Sequence, residues 1–420
     1  MSNYNSLERA VSRFLSRFPI IKQLAKAGYS RLVYFKCRKS YRNKSVANLV
    51  AFMESDTSSF FGYYDKSPEN SKGWVIACTT QSTTSSAPSL SSKVELVVFD
   101  AIGKIILTQT ITAYNWQQAC RAQWLNDDLI IFNDFDSRRQ HYVSHVLSIE
   151  RKQIINSFDY PVQDSFKTDY FISLNYQRLM TLRPDYGYRN LPNLTNSELN
   201  NIEQDGLWKV SYETGDAELL ISLAQASRHE AKPEFKQGIH KFNHVMISPS
   251  GQKFIFMHRC LVGGRRFDRL FLADAETGDL KLLADYGMVS HFFWVDEDTI
   301  LGYMRGPGER DAYWLLNIKT TKFTQFSADI LEKYGDGHPH VYGDWFVTDT
   351  YPDKARMQHL ILCNWKTGAV TEIGEFFHGF EFSDESRCDL HPRFSSDGKA
   401  VYFDSVFSGR RQLYRMELPR

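Results

Sequence analysis

His244-Val-Met-Ile-Ser-Pro-Ser-Gly251 is followed by Lys253-Phe-Ile-Phe-Met-His258, Leu270-Phe-Leu-Ala-Asp274, the turn Glu276-Thr-Gly-Asp279, and Leu280-Lys-Leu-Leu283. Each apolar run is short, rich in β-branched or aromatic residues, and bounded by Ser, Pro, Gly or Asp, the pattern of strands joined by tight turns. Strand, turn, strand, loop, strand, turn, strand is one four-stranded blade of a β-propeller. A single blade cannot bury both of its faces, so this reading requires further copies along the chain.

The copies are present. His391-Pro-Arg-Phe-Ser-Ser-Asp-Gly398, Ala400-Val-Tyr-Phe403 and Gln412-Leu-Tyr-Arg-Met416 repeat the plan, with the same spacing from His to Ser and from His to Gly. Arg121-Ala-Gln-Trp124 and His291-Phe-Phe-Trp294 share a Trp at one offset, His338-Pro-His-Val341 turns at Gly343-Asp344, and Tyr63-Tyr-Asp-Lys-Ser67-Pro fits near the start. A degenerate unit around Asp169 to Leu179 makes seven. The fold class expected is therefore all-β, a seven-bladed β-propeller over 55–420, with six blades as the alternative, preceded by a basic amphipathic α-helical arm over 1–45.

The innermost strand of each blade lines the central channel, so aligned positions converge at one end of it. Those positions are Tyr63, Arg121, Asp169, His244, His291, His338 and His391. His340 lies two residues beyond His338 and so projects from the same side of its strand; His240 lies just before its blade. Converging imidazoles suit a divalent transition metal with positions left open for substrate, and Asp336, Asp389 and Tyr63 can add oxygen ligands or acid and base groups. The competing reading of each histidine taken singly is a structural one, hydrogen-bonded to loop backbone. Arg183, Arg259, Arg265 and Arg266 follow strands and can bind anionic groups, or lie on solvated loops.

The chain has 420 residues, is 42% hydrophobic and 14% aromatic, and carries a formal charge of +1. That neutrality hides a division: residues 1–50 hold eleven Lys or Arg against Glu8 alone, which leaves the remainder acidic. Leu7, Val11, Phe14 and Phe18 recur at helical spacing while Arg9, Arg13 and Arg17 occupy another face, the composition of an interfacial helix. An anionic membrane surface is the partner expected for 1–44, with a helix packed on the propeller as the alternative. No nucleic acid is expected, because no nucleic-acid-binding motif accompanies the charge. Six scattered cysteines without paired spacing read as reduced thiols. Basic residues interrupt every candidate signal peptide, and no run of eighteen apolar residues is present. The compartment expected is the cytoplasm, at its membrane boundary.

Asn243-His-Val-Met-Ile-Ser-Pro-Ser-Gly251, Met257-His-Arg259, Val289-Ser-His-Phe-Phe-Trp294, Asp336-Gly-His-Pro-His340, Thr348-Asp-Thr-Tyr-Pro-Asp353 and Cys388-Asp-Leu-His-Pro-Arg-Phe394 resemble the oligogalacturonate lyases, a family of seven-bladed propellers. Phe60-Phe-Gly-Tyr-Tyr-Asp-Lys-Ser-Pro68 resembles relatives associated with bacterial surface-polysaccharide gene clusters. The resemblance implies a Mn2+ ion on His291, His338 and His340, with His244, or else His240, as the base that takes the C5 proton of a uronic acid. It also implies an arginine, Arg259 being the candidate, that neutralises the substrate carboxylate. Gly335 stands where the family's glutamine ligand is expected, which leaves Asp336 or His391 to replace it. The function so implied is β-elimination on an acidic, uronic-acid-containing glycan or a lipid-linked oligosaccharide. The alternatives are a non-catalytic propeller that binds a glycan or a protein, and an unusual glycosyltransferase.

Overall fold

The structure, a computed structural model, describes residues 19–54, 56–326 and 329–418. Seven antiparallel sheets follow one another along the chain. The first blade is built from Ser58–Phe60, Val75–Thr80, Val94–Phe99 and Ile105–Ile111, and the fourth from Ile239–Ile247, Lys253–Val262, Arg265–Asp274 and Leu280–Gly287. Neighbouring blades share one buried apolar cluster, which holds Phe254, Phe256 and Phe271 of blade four together with Phe292 and Trp294 of blade five. The expected architecture is therefore observed, with all seven units present.

Local chemistry repeats with the blades. In the hairpin between third and fourth strands, Asp274 accepts the N–H groups of Glu276 and Thr277, Asn317 those of Lys319 and Thr320, and Asn364 those of Lys366 and Thr367. One Asp or Asn side chain thus mimics a backbone turn in blades four, five and six. The Trp shared by two blades also has one job: Nε1 of Trp124 donates to Pro68 O at 2.7 Å and Nε1 of Trp294 to Met246 O at 3.0 Å.

Ring closure uses the segment after the N-terminal helix (Pro19–Cys37). Leu49–Ala51 pairs with Gln412–Glu417 and completes the seventh blade, so strands far apart in the chain share one sheet. Asn43–Ser45 adds a fifth strand to the sixth blade beside Val370–Phe377. These strands lie on both sides of the 45 boundary read from composition.

The third blade is Val162–Phe166, Tyr170–Leu174, Gly206–Ser211 and Ala217–Ser222. Asp169 sits in its first hairpin turn, and its N–H reaches Phe166 O at 3.1 Å, so it is not a channel residue. The span 175–205 is an insertion carrying the helices Tyr176–Leu182 and Asn196–Asn200. It lies over the end of the channel where the aligned histidines meet, bringing Tyr186 against Tyr63 and His244.

Candidate active site

Backbone geometry at the start of the inner strands aims side chains into the axis. Arg121, His244 and His391, equivalent positions of three blades, all have left-handed backbone with φ of 54°, 53° and 43°. A residue in that region lifts its side chain out of strand alternation, at a cost of order 1–3 kcal/mol that the surrounding structure must offset. In blade four the register shifts between Asn243 and Met246, so His244 is the bulged position. Two glycines permit the close approaches beside it. Gly62, at φ 103°, precedes Tyr63, and a Cβ there would stand 2.7 Å from the Gln118 carbonyl carbon; a Cβ at Gly337 would stand 2.0 Å from Asp349 O.

Five aromatic rings close a circle around the channel. Centroid separations run 5.2 Å from Tyr63 to His244, 5.8 Å to His291, 4.0 Å to His338, 4.3 Å to His391 and 5.1 Å back to Tyr63. Tyr64 packs against this circle, 5.5 Å from His338, and is pinned by Phe292, whose N–H donates to its hydroxyl at 3.1 Å while the hydroxyl donates to Phe292 O at 3.0 Å. All five ring residues are buried.

One arc of the circle has the chemistry of a metal site. Donor atoms of His338, Asp389 and His391 lie within 4.8 Å of one another. Nε2 of His338 and Nε2 of His391 are buried without a hydrogen-bond partner, each at a cost of about 1–3 kcal/mol that a bound cation would relieve. Asp349 orients the His338 imidazole and fixes the backbone of both residues: its Oδ1 takes the His338 backbone N–H and faces Nδ1, each at 2.8 Å, and its Oδ2 takes the His391 backbone N–H at 3.0 Å. A carboxylate on Nδ1 leaves Nε2 of His338 as the free donor, the arrangement of metal-ligating histidines. These residues fit a divalent cation. His291 flanks the group, with Nδ1 3.1 Å from Asp336 Oδ1.

Charge is divided around the circle. Burial pushes His244 and His391 well below the ordinary imidazole value, and the neighbouring His291 and His338 add to this, so both are neutral. Burial acts on His338 in the same direction, but Asp349, with Asp389 and Asp336, outweighs it and the net shift is upward. Asp389 is held below the carboxylate range against its own burial by Arg387, which forks onto it at 2.7–2.9 Å, and by His338. On the opposite arc the Tyr63 hydroxyl stands 2.8 Å from Nδ1 of His244, and burial holds its proton firmly.

The residues singled out from sequence are thus partly assembled. His244, His291, His338 and His391 converge with Tyr63, and Asp336 and Asp389 stand beside them. His340 is not brought into the group: its ring lies 4.5 Å from Phe293 and 5.9 Å from Phe394, with Nδ1 taking the Phe394 N–H at 3.3 Å. The reason is local. The sixth blade's inner strand is His340–Tyr342, so His338 precedes it and strand alternation does not relate the two. His240 belongs to a separate buried relay in which Arg269 donates to His258 Nδ1, His258 meets His240 at 2.9 Å, and His240 Nε2 donates to Phe235 O. Arg259 is locked to Asp268 at 2.5 Å.

Several contributors escaped the sequence reading. Asp349 was visible only as part of Thr348-Asp-Thr, and its role depends on pairing between strands. Tyr186, Arg387 and Tyr351 come from loops; Tyr351 is 36% exposed and marks the open side of a site whose His338 is 1% exposed. Lys241 carried a signal, a lysine inside an inner strand whose neighbours are otherwise buried.

No protein-family model and no curated protein matches the sequence. Among solved structures, an oligogalacturonate lyase in complex with manganese is similar over 91% of this chain and 96% of its own, with a TM-score of 0.60 and 13% identity. An oligogalacturonate lyase from Vibrio parahaemolyticus is similar over 90% and 97%, with a TM-score of 0.59 and 13% identity. At that identity the likeness establishes a shared propeller fold.

Proposed function

We propose that the protein is a metal-dependent enzyme that cleaves uronic-acid-containing oligosaccharides by β-elimination. The observation that carries the reading is the division of one buried circle: His338, Asp389 and His391 on one arc, and a neutral His244 with its Tyr63 partner on the other. The shared fold with a lyase that holds manganese supports the same reading.

In this mechanism His338, Asp389 and His391 would hold a divalent ion such as Mn2+, and the substrate carboxylate would lie on that arc. The bound ion supplies Lewis-acid charge that stabilises negative charge next to the carboxylate. Neutral His244 takes the C5 proton, the C4–O bond breaks, and the electron pair from C5 forms the C4–C5 double bond. Tyr63, still protonated because it is buried, can return a proton to the departing oxygen. The imidazolium formed on His244 then returns its proton to Tyr63 across the 2.8 Å contact, which restores both groups.

The helix Pro19–Cys37 supports a location at a membrane surface. Leu32 and Phe35 are 68% and 64% exposed, among the exposed cations Arg31, Lys36, Arg38 and Lys39. Such a face suits peripheral contact with an anionic bilayer, where a lipid-linked acidic oligosaccharide of surface-polysaccharide metabolism would be met. No helix among the described residues is long and apolar enough to cross a membrane. The helical positions Leu7 to Phe18 fall outside the described residues.

The deciding experiment incubates the manganese-loaded protein with a panel of uronate oligosaccharides and follows the ultraviolet absorbance of an unsaturated uronate. Product is expected with at least one substrate. Silence across the panel, with metal bound, overturns elimination.

A further inference from the structure

Lys241 lies on the inner strand of blade four, three positions before His244, and is 1% exposed. Its Nζ donates to one neutral partner, Asn243 Oδ1, at 2.9 Å. Among the described residues it has no carboxylate within 4.0 Å. The neighbouring cations have taken those available: Asp268 is shared by Arg259 at 2.5 Å and Arg266 at 3.0 Å, and Asp185 accepts from Arg183 at 3.2 Å.

The local sum is four cations against two carboxylates, beside a neutral histidine and in a largely buried setting. Burial disfavours the charged form of Lys241, and Arg259 and Arg183 press it the same way. An amine so placed contributes little to the fold, since a buried cation with one neutral partner is poorer than a methylene chain of the same shape. What it lacks is an anion. The approach is open at Arg183, whose side chain is 27% exposed and whose guanidinium lies 4.5 Å over the Tyr186 ring beside His244.

We propose that Lys241, Arg183 and Arg259 form an anion-binding subsite for a second carboxylate, or a phosphate, of a ligand whose reacting unit lies on the histidine circle. It deepens the reading of the circle as a substrate site and does not involve the metal arc. An anion entering there favours the ammonium form of Lys241 and gains charge-assisted hydrogen bonds where water is scarce. The ligand is then at least doubly anionic, with one charge at the metal arc and one beside His244.

The test uses the full chain freed of metal with a chelator, so its outcome is independent of metal binding. Calorimetric titrations with digalacturonate, inorganic phosphate and neutral lactose are made on wild type, Lys241→Met and Arg183→Gln. Saturable binding of an anion but not lactose is expected, at least tenfold weaker in both variants. The ligand-free melting temperature of Lys241→Met should be unchanged or higher. Tighter digalacturonate identifies a carboxylate subsite, and tighter phosphate a phosphoryl one. Failure of both anions to bind wild type overturns the subsite, as does binding of undiminished strength in the variants. Should Lys241→Met not fold, Arg183→Gln at the open edge decides alone.

Discussion

The Tyr63 hydroxyl and Nδ1 of His244 are 2.8 Å apart, although 181 positions separate them in sequence. Blade one reaches across the channel to blade four, so the tyrosine occupies the arc that blades two and three leave without an imidazole. The hydroxyl also lies 3.1 Å from Nε2, and the neutral imidazole carries one unprotonated ring nitrogen that can take a substrate proton. His244→Gln should lower kcat by about 10²–10⁴-fold and Tyr63→Phe by about 10²-fold. Metal content should stay at the wild-type level in both. Steady-state rates with metal analysis of the same samples check this; loss of metal in either variant would move the residue to the ligand group.

The metal arc makes a sharper division among histidines. His338→Ala and His391→Ala should each abolish stoichiometric manganese binding, since each removes a donor of the group. Asp349→Asn, which leaves the donors in place but loosens the His338 imidazole and the His391 backbone, should weaken affinity about 10–100-fold. His340→Ala should bind manganese normally while costing about 1–3 kcal/mol of stability through the unpaired Phe394 N–H. Equilibrium dialysis with denaturant titration separates these outcomes, and metal loss in His340→Ala would restore the ligand set implied by the family resemblance.

That contrast shows why the site was only partly legible. A fixed turn sets the distance from His to Gly in blades four and seven, so alignment of the turns located the ring position without knowing the fold. Alternation failed at His338 and His340 because it holds only within a strand, and the strand starts at His340. Asp349 depends on a neighbouring strand, and the third blade was masked by helices inserted between its second and third strands. Asn43–Ser45 and Leu49–Ala51 are three-residue strands, too short for any periodicity to register.

The relay of His258 and His240 predicts acid sensitivity. Burial, with the Arg269 charge, lowers both imidazoles below their ordinary value. The unfolded chain therefore takes up protons as pH falls through about 6.5, where the folded chain does not. Stability is fully present above that pH and is lost on the way down, by at most about 1.4 kcal/mol per pH unit per histidine. Urea midpoints at pH 7.5 and 5.5 should differ more for wild type than for His258→Gln; equal differences would show that the relay does not carry the dependence.

The N-terminal helix supplies the last expectation. Tyr34 packs against Phe377 at 5.8 Å and edge-on against Phe380 at 5.4 Å, so the helix is seated on blade six by one face. That seating turns Leu32 and Phe35 outward, with Arg38 5.7 Å over the Phe35 ring. Burying Leu or Phe in a bilayer interface contributes about 1.5–3 kcal/mol each, and each basic residue near anionic lipid about 1 kcal/mol. The protein should therefore sediment with phosphatidylserine-containing vesicles, less so at high salt, and not with neutral ones. The double variant Leu32→Glu, Phe35→Glu should bind at least tenfold more weakly at unchanged thermal stability. Point substitution is the cleaner test than truncation, because removing 1–44 also takes part of the Asn43–Ser45 strand from the sixth blade. Equal sedimentation of the double variant and wild type would assign the exposed face to something other than lipid.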